Sequence, residues 1–338
     1  LEVPSGYLAD KYGYRQSMIV GTILGTAGFF LYWAWPGYWG FLAAELLLAL
    51  AASAISGTRD AMLFATLKAL RLEDTYTKVQ GNQLFFGNLS EAVAAVLAGI
   101  IAWYSSIETV LFIQWLVVAA TIPLALQLRN LAGAPGPKNL PFWSALKAIV
   151  KEKPALQSLN LLAGAISAST LTMVWFAQPH WNAIGVPILY FGYLWAGLNV
   201  LAGIAGNYAY LVERYLTLRT ILIGFALWPI VAYALLATVE QVALLILTTA
   251  LFWVLRGVTQ PILQDVIQRN CADHQRATVL SINQLYGRLI FSVCSPFLGY
   301  VADVTDFATA FLASAVVFGL ITMTALLLLL RRKAHINI

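Results

Sequence analysis

Glu91, Arg288 and Glu45 are ionisable side chains set inside long apolar runs, and that setting limits the chemistry open to them. In hydrocarbon an ionised group costs about 2.5–3.5 kcal/mol even on a lenient insertion scale, so it marks a solute or ion path, or is neutralised by a neighbour. Such groups can exchange protons and form ion pairs. Glu91 lies about ten residues into its run, roughly 15 Å at 1.5 Å per residue, near the middle of a crossing. It could take up and release a proton as its exposure changes. Arg288 lies at similar depth and would oppose proton uptake if it came close. Asn88 shares a helical face with Glu91, and Gln284 shares one with Arg288; Glu45 is shallower. The competing reading for each is helix–helix glue, which is also the reading for Asn160, Gln178 and Asn199. No nucleophile–base pair accompanies them. His180, His274 and His335 are scattered, and Cys271 and Cys294 offer no disulfide or metal framework. No cofactor and no metal site are expected.

A second group of polar residues lies at the ends of the apolar runs. In Gly6-Tyr7-Leu8-Ala9-Asp10-Lys11-Tyr12-Gly13-Tyr14-Arg15 the glycines permit close approach and a tight reversal. Asp10 can accept from helix N-terminal amides or from a cation, while Lys11 and Arg15 hold the membrane edge. The plain reading is a turn with topology-setting charges. The functional reading is a latch that holds one conformation, with Asp10 paired to Arg59. Glu213, followed by Arg214, and Arg256 repeat the pattern, so Glu213–Arg256 is expected as a second latch.

The elements that must position these residues follow from composition. The chain is 60% hydrophobic and 10% charged, against about 25% charged in soluble domains. No Asp, Glu, Lys or Arg occurs between Arg15 and Glu45 or between Lys153 and Glu213. A crossing needs roughly 20 apolar residues. A soluble enzyme and a nucleic-acid binder are excluded, so the net charge of +5 does not signal nucleic acid. Ten crossings are expected near 17–35, 39–58, 81–104, 107–128, 156–179, 187–212, 219–238, 240–264, 277–302 and 307–330. All are read as α-helices, because an isolated span satisfies its backbone in lipid only that way. The Pro-rich, basic stretch 129–155 reads as a linker between an N-terminal half, 1–128, and a C-terminal half, 156–338. Of the 20 Lys and Arg, 18 fall on alternate loops of one side, and Arg256 and Arg288 lie within spans. The opposite loops carry only Glu108, Glu240, Asp303 and Asp306. By the positive-inside rule the basic side is cytoplasmic, with loops 10–16, 59–80, 129–155, 213–219, 265–276 and the C-terminus.

The halves repeat. Asp10-Lys11-Tyr12 recurs as Glu213-Arg214-Tyr215, Asn82-Gln83-Leu84-Phe85 as Asn283-Gln284-Leu285-Tyr286, and Ser56-Gly57 as Arg256-Gly257, at offsets of 203, 201 and 200. Each copy keeps its orientation, as parallel repeats do. The second copy fits two spans before Glu213, whereas only nine residues precede Asp10. Roughly 50 residues are therefore expected upstream of Leu1, one span and most of another, giving a parent of six plus six helices.

The loop beginning at Gly6 resembles the signature between the second and third helices of the major facilitator superfamily. Glu2-Val3-Pro4-Ser5, Ser56-Gly57-Thr58, Arg276-Ala277-Thr278-Val279-Leu280-Ser281 and Gly299-Tyr300-Val301-Ala302-Asp303 resemble its bacterial drug-exporter-like branch. The resemblance implies an all-α integral membrane fold of two pseudo-symmetric six-helix halves, the first helix and most of the second lying outside this chain. It implies a monomer in the bacterial inner membrane that moves a small molecule across the bilayer by alternating access. Proton-coupled efflux of drug-like compounds is the leading expectation. A facilitator or symporter of a sugar, amino acid or siderophore is the alternative. An integral membrane enzyme comes last, lacking grouped His, Asp or Cys, and no Gly-rich Lys-Ser/Thr loop marks an ATP-driven pump.

Overall fold

The computed structural model describes residues 2–129, 154–187, 190–272 and 275–332. Most of the expected linker 129–155 lies outside the described residues, as do His274, Lys333 and His335. Among the described residues every element is helical: α1 Glu2–Tyr12, α2 Tyr14–Ala34, α3 Tyr38–Ala69, a short 3-10 turn Glu73–Thr75, α4 Tyr76–Tyr104, α5 Ile107–Ala119, α6 Thr121–Gln127, α7 Pro154–Ala183, α8 Phe191–Asn207, α9 Ala209–Tyr215, α10 Leu218–Thr238, α11 Val242–Arg269, α12 Arg276–Val304 and α13 Phe307–Arg331. Among the described residues nine helical stretches are long and apolar enough to cross a membrane, with α5 and α6 together forming one of them. The fold is that of an all-α membrane protein.

The expected span 187–212 takes a different form. It is divided into α8, of 17 residues, and α9, of seven, with Tyr208 between them. Hydropathy averages over this break.

The expected basic-side loops are also shorter than their charges suggested. α3 continues 11 residues past its apolar end, to Ala69. It closes there with Leu72 N–H on the Leu67 carbonyl (2.8 Å) and Arg71 N–H on that of Lys68 (3.0 Å). Arg71 takes φ 58°, the left-handed residue that this helix ending requires. α11 likewise runs on to Arg269. Polar residues on the final turns extend a helix as readily as apolar ones, because its backbone bonds do not depend on the side-chain medium. At the other boundaries, Ser106, Thr217 and Asp306 cap α5, α10 and α13 through the amides of Thr109, Thr220 and Thr309. The Thr309 amide holds the Asp306 carboxyl below the ordinary range. Gly13, at φ 104°, lets α1 turn directly into α2.

The chain divides into two compact units. Unit 1 comprises 1–73, 94–149 and 271–284; unit 2 comprises 74–93, 150–270 and 285–338. These are not simply the sequence halves, since each takes in the opening turns of one helix from the other half, α12 in unit 1 and α4 in unit 2. In unit 1, α2 packs on α3 through its glycines: a Cβ at Gly28 would lie 2.9 Å from Leu48. Small residues of this kind let helices approach where lipid supplies no hydrophobic drive. Trp33 stacks on Trp115, 5.9 Å apart at 5°. In unit 2 a buried aromatic core gathers Trp181, Tyr233, Phe252, Trp253, Phe311 and Phe318, and the Tyr233 hydroxyl donates to the Ser169 carbonyl at 2.7 Å.

Candidate functional site

Within unit 1, Asp10 ends α1 with its side chain 7% exposed. Its carboxylate takes the backbone amides of Ala277 (3.0 Å) and Thr278 (2.8 Å) and the Thr278 hydroxyl (2.6 Å). The Tyr14 hydroxyl donates to it at 3.2 Å. A carboxylate thus caps the N-terminus of α12, where unpaired amides and the helix dipole favour negative charge. Burial pushes the carboxyl up to about 6, against the pull of the Thr278, Ala277 and Tyr14 hydrogen bonds. Glycine keeps the helices close: a Cβ at Gly57 would lie 2.8 Å from the Ser281 hydroxyl, and one at Gly6 would overlap both that side chain and the Ala277 carbonyl.

The basic residues around Asp10 have other work. Arg15 donates to the carbonyls of Leu128 (2.7 Å) and Leu126 (2.9 Å), closing the end of α6. Lys11 lies over the rings of Tyr7 and Tyr12, and buried Arg276 lies over Phe64 at 4.2 Å. Arg59 pairs with its neighbour Asp60 at 3.1 Å. The expected Asp10–Arg59 pair does not form, because helix amides satisfy Asp10 in place of a guanidinium.

Unit 2 contains a comparable seat. Glu213, half-buried at the end of α9, bonds to Thr77 at the start of α4, with the charges of Asp265 and Arg269 nearby. Burial pushes its carboxyl up to about 7; the Thr77 hydrogen bond and Arg269 pull it down and Asp265 pushes it further up. Arg269 bridges Asp265 (2.7 Å) and Asp74 (3.1 Å). Beneath lies a buried amide network, in which Gln264 accepts from Tyr76 and Gln80, each at 3.2 Å, and Gln268 donates to Tyr76 at 2.9 Å. A Cβ at Gly81 would overlap the Gly206 carbonyl, and one at Gly206 would lie 3.2 Å from the Gly257 carbonyl. The expected Glu213–Arg256 pair is likewise replaced. Arg256, near the midpoint of α11, feels the charge of Glu91, near the midpoint of α4. Arg214 lies over the Tyr215 ring.

The remaining candidates separate. Glu91 and Arg256 lie within electrostatic range of one another, a pairing that the repeat did not suggest. Asn88 turns onto its own helix, donating to the Leu84 carbonyl at 3.0 Å. Arg288 is exposed and Gln284 half-buried. Tyr32 donates to Glu45. Sequence reasoning did not single out Thr77 and Thr278, the residues that meet the two carboxylates. They are related by the same offset of 201 as the Asn-Gln repeat, and that was the available signal.

Residues 1–293 match the sequence profile of the Major Facilitator Superfamily. No curated protein sequence matches the chain. Among solved structures it is similar to the human organic anion transporter MFSD10, with TM-score 0.70 and 14% identity over 97% of this chain and 80% of that one. It is similar to the E. coli fucose:proton symporter FucP, with TM-score 0.64 and 16% identity over 96% and 86%. FucP in its outward conformation gives TM-score 0.68 and 15% identity over 96% and 85%. At these identities the likeness is one of fold.

Proposed function

The chain belongs to the Major Facilitator Superfamily, a transporter and not an enzyme, and from that premise we propose a proton-driven secondary carrier that exports drug-like solutes by alternating access. The observation that carries this reading is the pair of carboxylate seats. Asp10 holds the first turn of α12 through two backbone amides, and Glu213 accepts from the Thr77 hydroxyl in the first turn of α4. Each seat joins residues from both sequence halves, so release of the two seats frees two helix starts at the basic end of the chain. That end faces the cytoplasm of a bacterial cell in this reading.

Both carboxyls have proton affinities raised by burial, to about 6 and about 7. A released carboxyl returns to water and to its ordinary lower value. The seated state therefore binds protons more tightly, and proton loss favours release. Glu91, within electrostatic range of Arg256, is the coupling group: cavity opening that separates the two lets a proton bind.

Reconstitution tests this. The six-plus-six parent expected from the repeat, in proteoliposomes, is given an imposed pH gradient and labelled drug-like cations, sugars and amino acids in parallel. Accumulation of a drug-like solute that collapses with a protonophore is expected. Equal flux with and without the gradient would reject proton coupling, and a sugar or amino acid as the accumulated solute would move the chain to nutrient symport.

A further inference from the structure

Unit 2 holds a cavity of about 380 Å³ between α7, α12 and the start of α13, at the end of the helices opposite Glu213 and Arg269. Its volume suits a small organic molecule. Trp175, Phe176, Phe291 and Phe307 form its walls, and Asp303 and Ser295 supply polar groups. The Trp175 ring is 65% exposed, and Phe176 meets Phe307 edge to face at 6.2 Å and 81°. Asp303 sits in the last turn of α12, where the helix's own carbonyls add partial negative charge.

The sign of the charge is consistent across this end of the unit. Glu240, Asp303 and Asp306 occupy it, with no Lys or Arg between Ala183 and Tyr190, at Val239–Gln241, or at Thr305–Asp306. The nearest basic candidate, His180, is 4% exposed and turned against Phe307 and Phe311. Aromatic faces attract cations and a carboxylate repels anions. A sugar needs many paired donors and acceptors, and walls dominated by aromatic rings and prolines leave most of them unpaired.

We infer that this cavity binds an amphipathic organic cation, its rings against Trp175 and Phe291 and its charge against Asp303. The inference deepens the transporter reading and rests on it for its purpose, because it names the class of solute carried. Binding at this site is distinct from both carboxylate seats and from Glu91.

Equilibrium binding of tritiated tetraphenylphosphonium to the 338-residue chain in lipid nanodiscs, with empty nanodiscs subtracted, tests the site. Saturable binding is expected, weakened about tenfold by Asp303→Asn and by Trp175→Ala, the size of one lost charge or ring contact. Trp175→Phe keeps a ring and should retain most of the affinity. Tetraphenylborate, an anion of the same shape, should not compete. Unchanged melting temperatures of the variants show that the fold survives. Wild-type affinity in both Asp303→Asn and Trp175→Ala, absent saturable binding, or competition by tetraphenylborate equal to that of unlabelled phosphonium overturns the inference. Solute flux without a phosphonium site removes the inference and leaves the transporter reading intact. A phosphonium site with no flux of any solute keeps the site and sinks the transporter reading.

Discussion

Asp10 stands where water is nearly excluded, and the amides of Ala277 and Thr278 take the place of its hydration. Removing the carboxylate leaves two helix-end N–H groups without acceptors, at a cost of about 1–3 kcal/mol for a buried donor. The buried thiol of Cys271, within 4.0 Å of Arg276, is a native reporter of this region. In a Cys294→Ser background, Asp10→Ala should speed N-ethylmaleimide labelling of Cys271 several-fold; an unchanged rate means that the seat holds nothing closed. Glu213 allows a pH test. Its value rises from 4.5 to about 7 on burial, so its contribution to stability is full below about 4.5 and is lost as pH rises through 7. The melting temperature in detergent should therefore fall between pH 6 and 8. Glu213→Gln, which still faces Thr77, Asp265 and Arg269, should flatten that fall, and an equally steep fall in the variant excludes Glu213 as its source. Both carboxylates were legible in the sequence but their partners were not. Charge suggests charge, so Asp10 and Glu213 were matched to Arg59 and Arg256. Asp10 is met by backbone amides, which carry no side-chain signature, and Glu213 by a threonine hydroxyl, a residue too common to mark a partner by its type.

The helices approach most closely where side chains are absent. At Gly81, in the second turn of its helix, an added methyl would overlap the Gly206 carbonyl. Gly87, on the same helix, has nothing within 4 Å of the corresponding position. Gly81→Ala should destabilise the chain by about 1–3 kcal/mol through overpacking. Gly87→Ala should be neutral or stabilise by up to about 1 kcal/mol, as expected for Gly replaced in a helix. Thermal unfolding of the two variants in detergent checks this contrast, and equal effects would mean that the close crossing carries no energy. The apolar runs located most helices because lipid demands them. They missed the boundary at Tyr208 and the overrun of α3 and α11, since polar residues end a membrane crossing without ending a helix.

Across the whole molecule, 18 of the 20 Lys and Arg fall between the apolar runs, at alternate junctions, while Glu91 and Arg256 lie near the midpoints of their helices within electrostatic range. If the pair couples solute to protons, Glu91→Gln should leave binding and downhill exchange intact and abolish accumulation driven by a pH gradient. Accumulation that persists with the same pH dependence makes the pair a structural tie. The partnership could not be read from the repeat, which aligns residues in equivalent places in two copies. Contact between unlike helices, such as α4 and α11, is not a repeat relation. The match of residues 1–293 to one family profile agrees with what the loop at Gly6 implied, whereas the solute depends on side chains lining a cavity, which neither periodicity nor charge count reveals.

The length of α3 has a mechanical consequence. At 32 residues it is about 48 Å long, against roughly 30 Å of hydrocarbon. Helices adapt to bilayer thickness partly by tilting. A stiff rod of this length that tilts by about 10° sweeps its far end through about 8 Å, several times the reach of a hydrogen bond. Gly57, whose missing side chain makes room for Ser281, rides well out along that lever. A change in acyl-chain length would then work on the Asp10 seat from a distance, and the thickness of the membrane would set how readily it lets go.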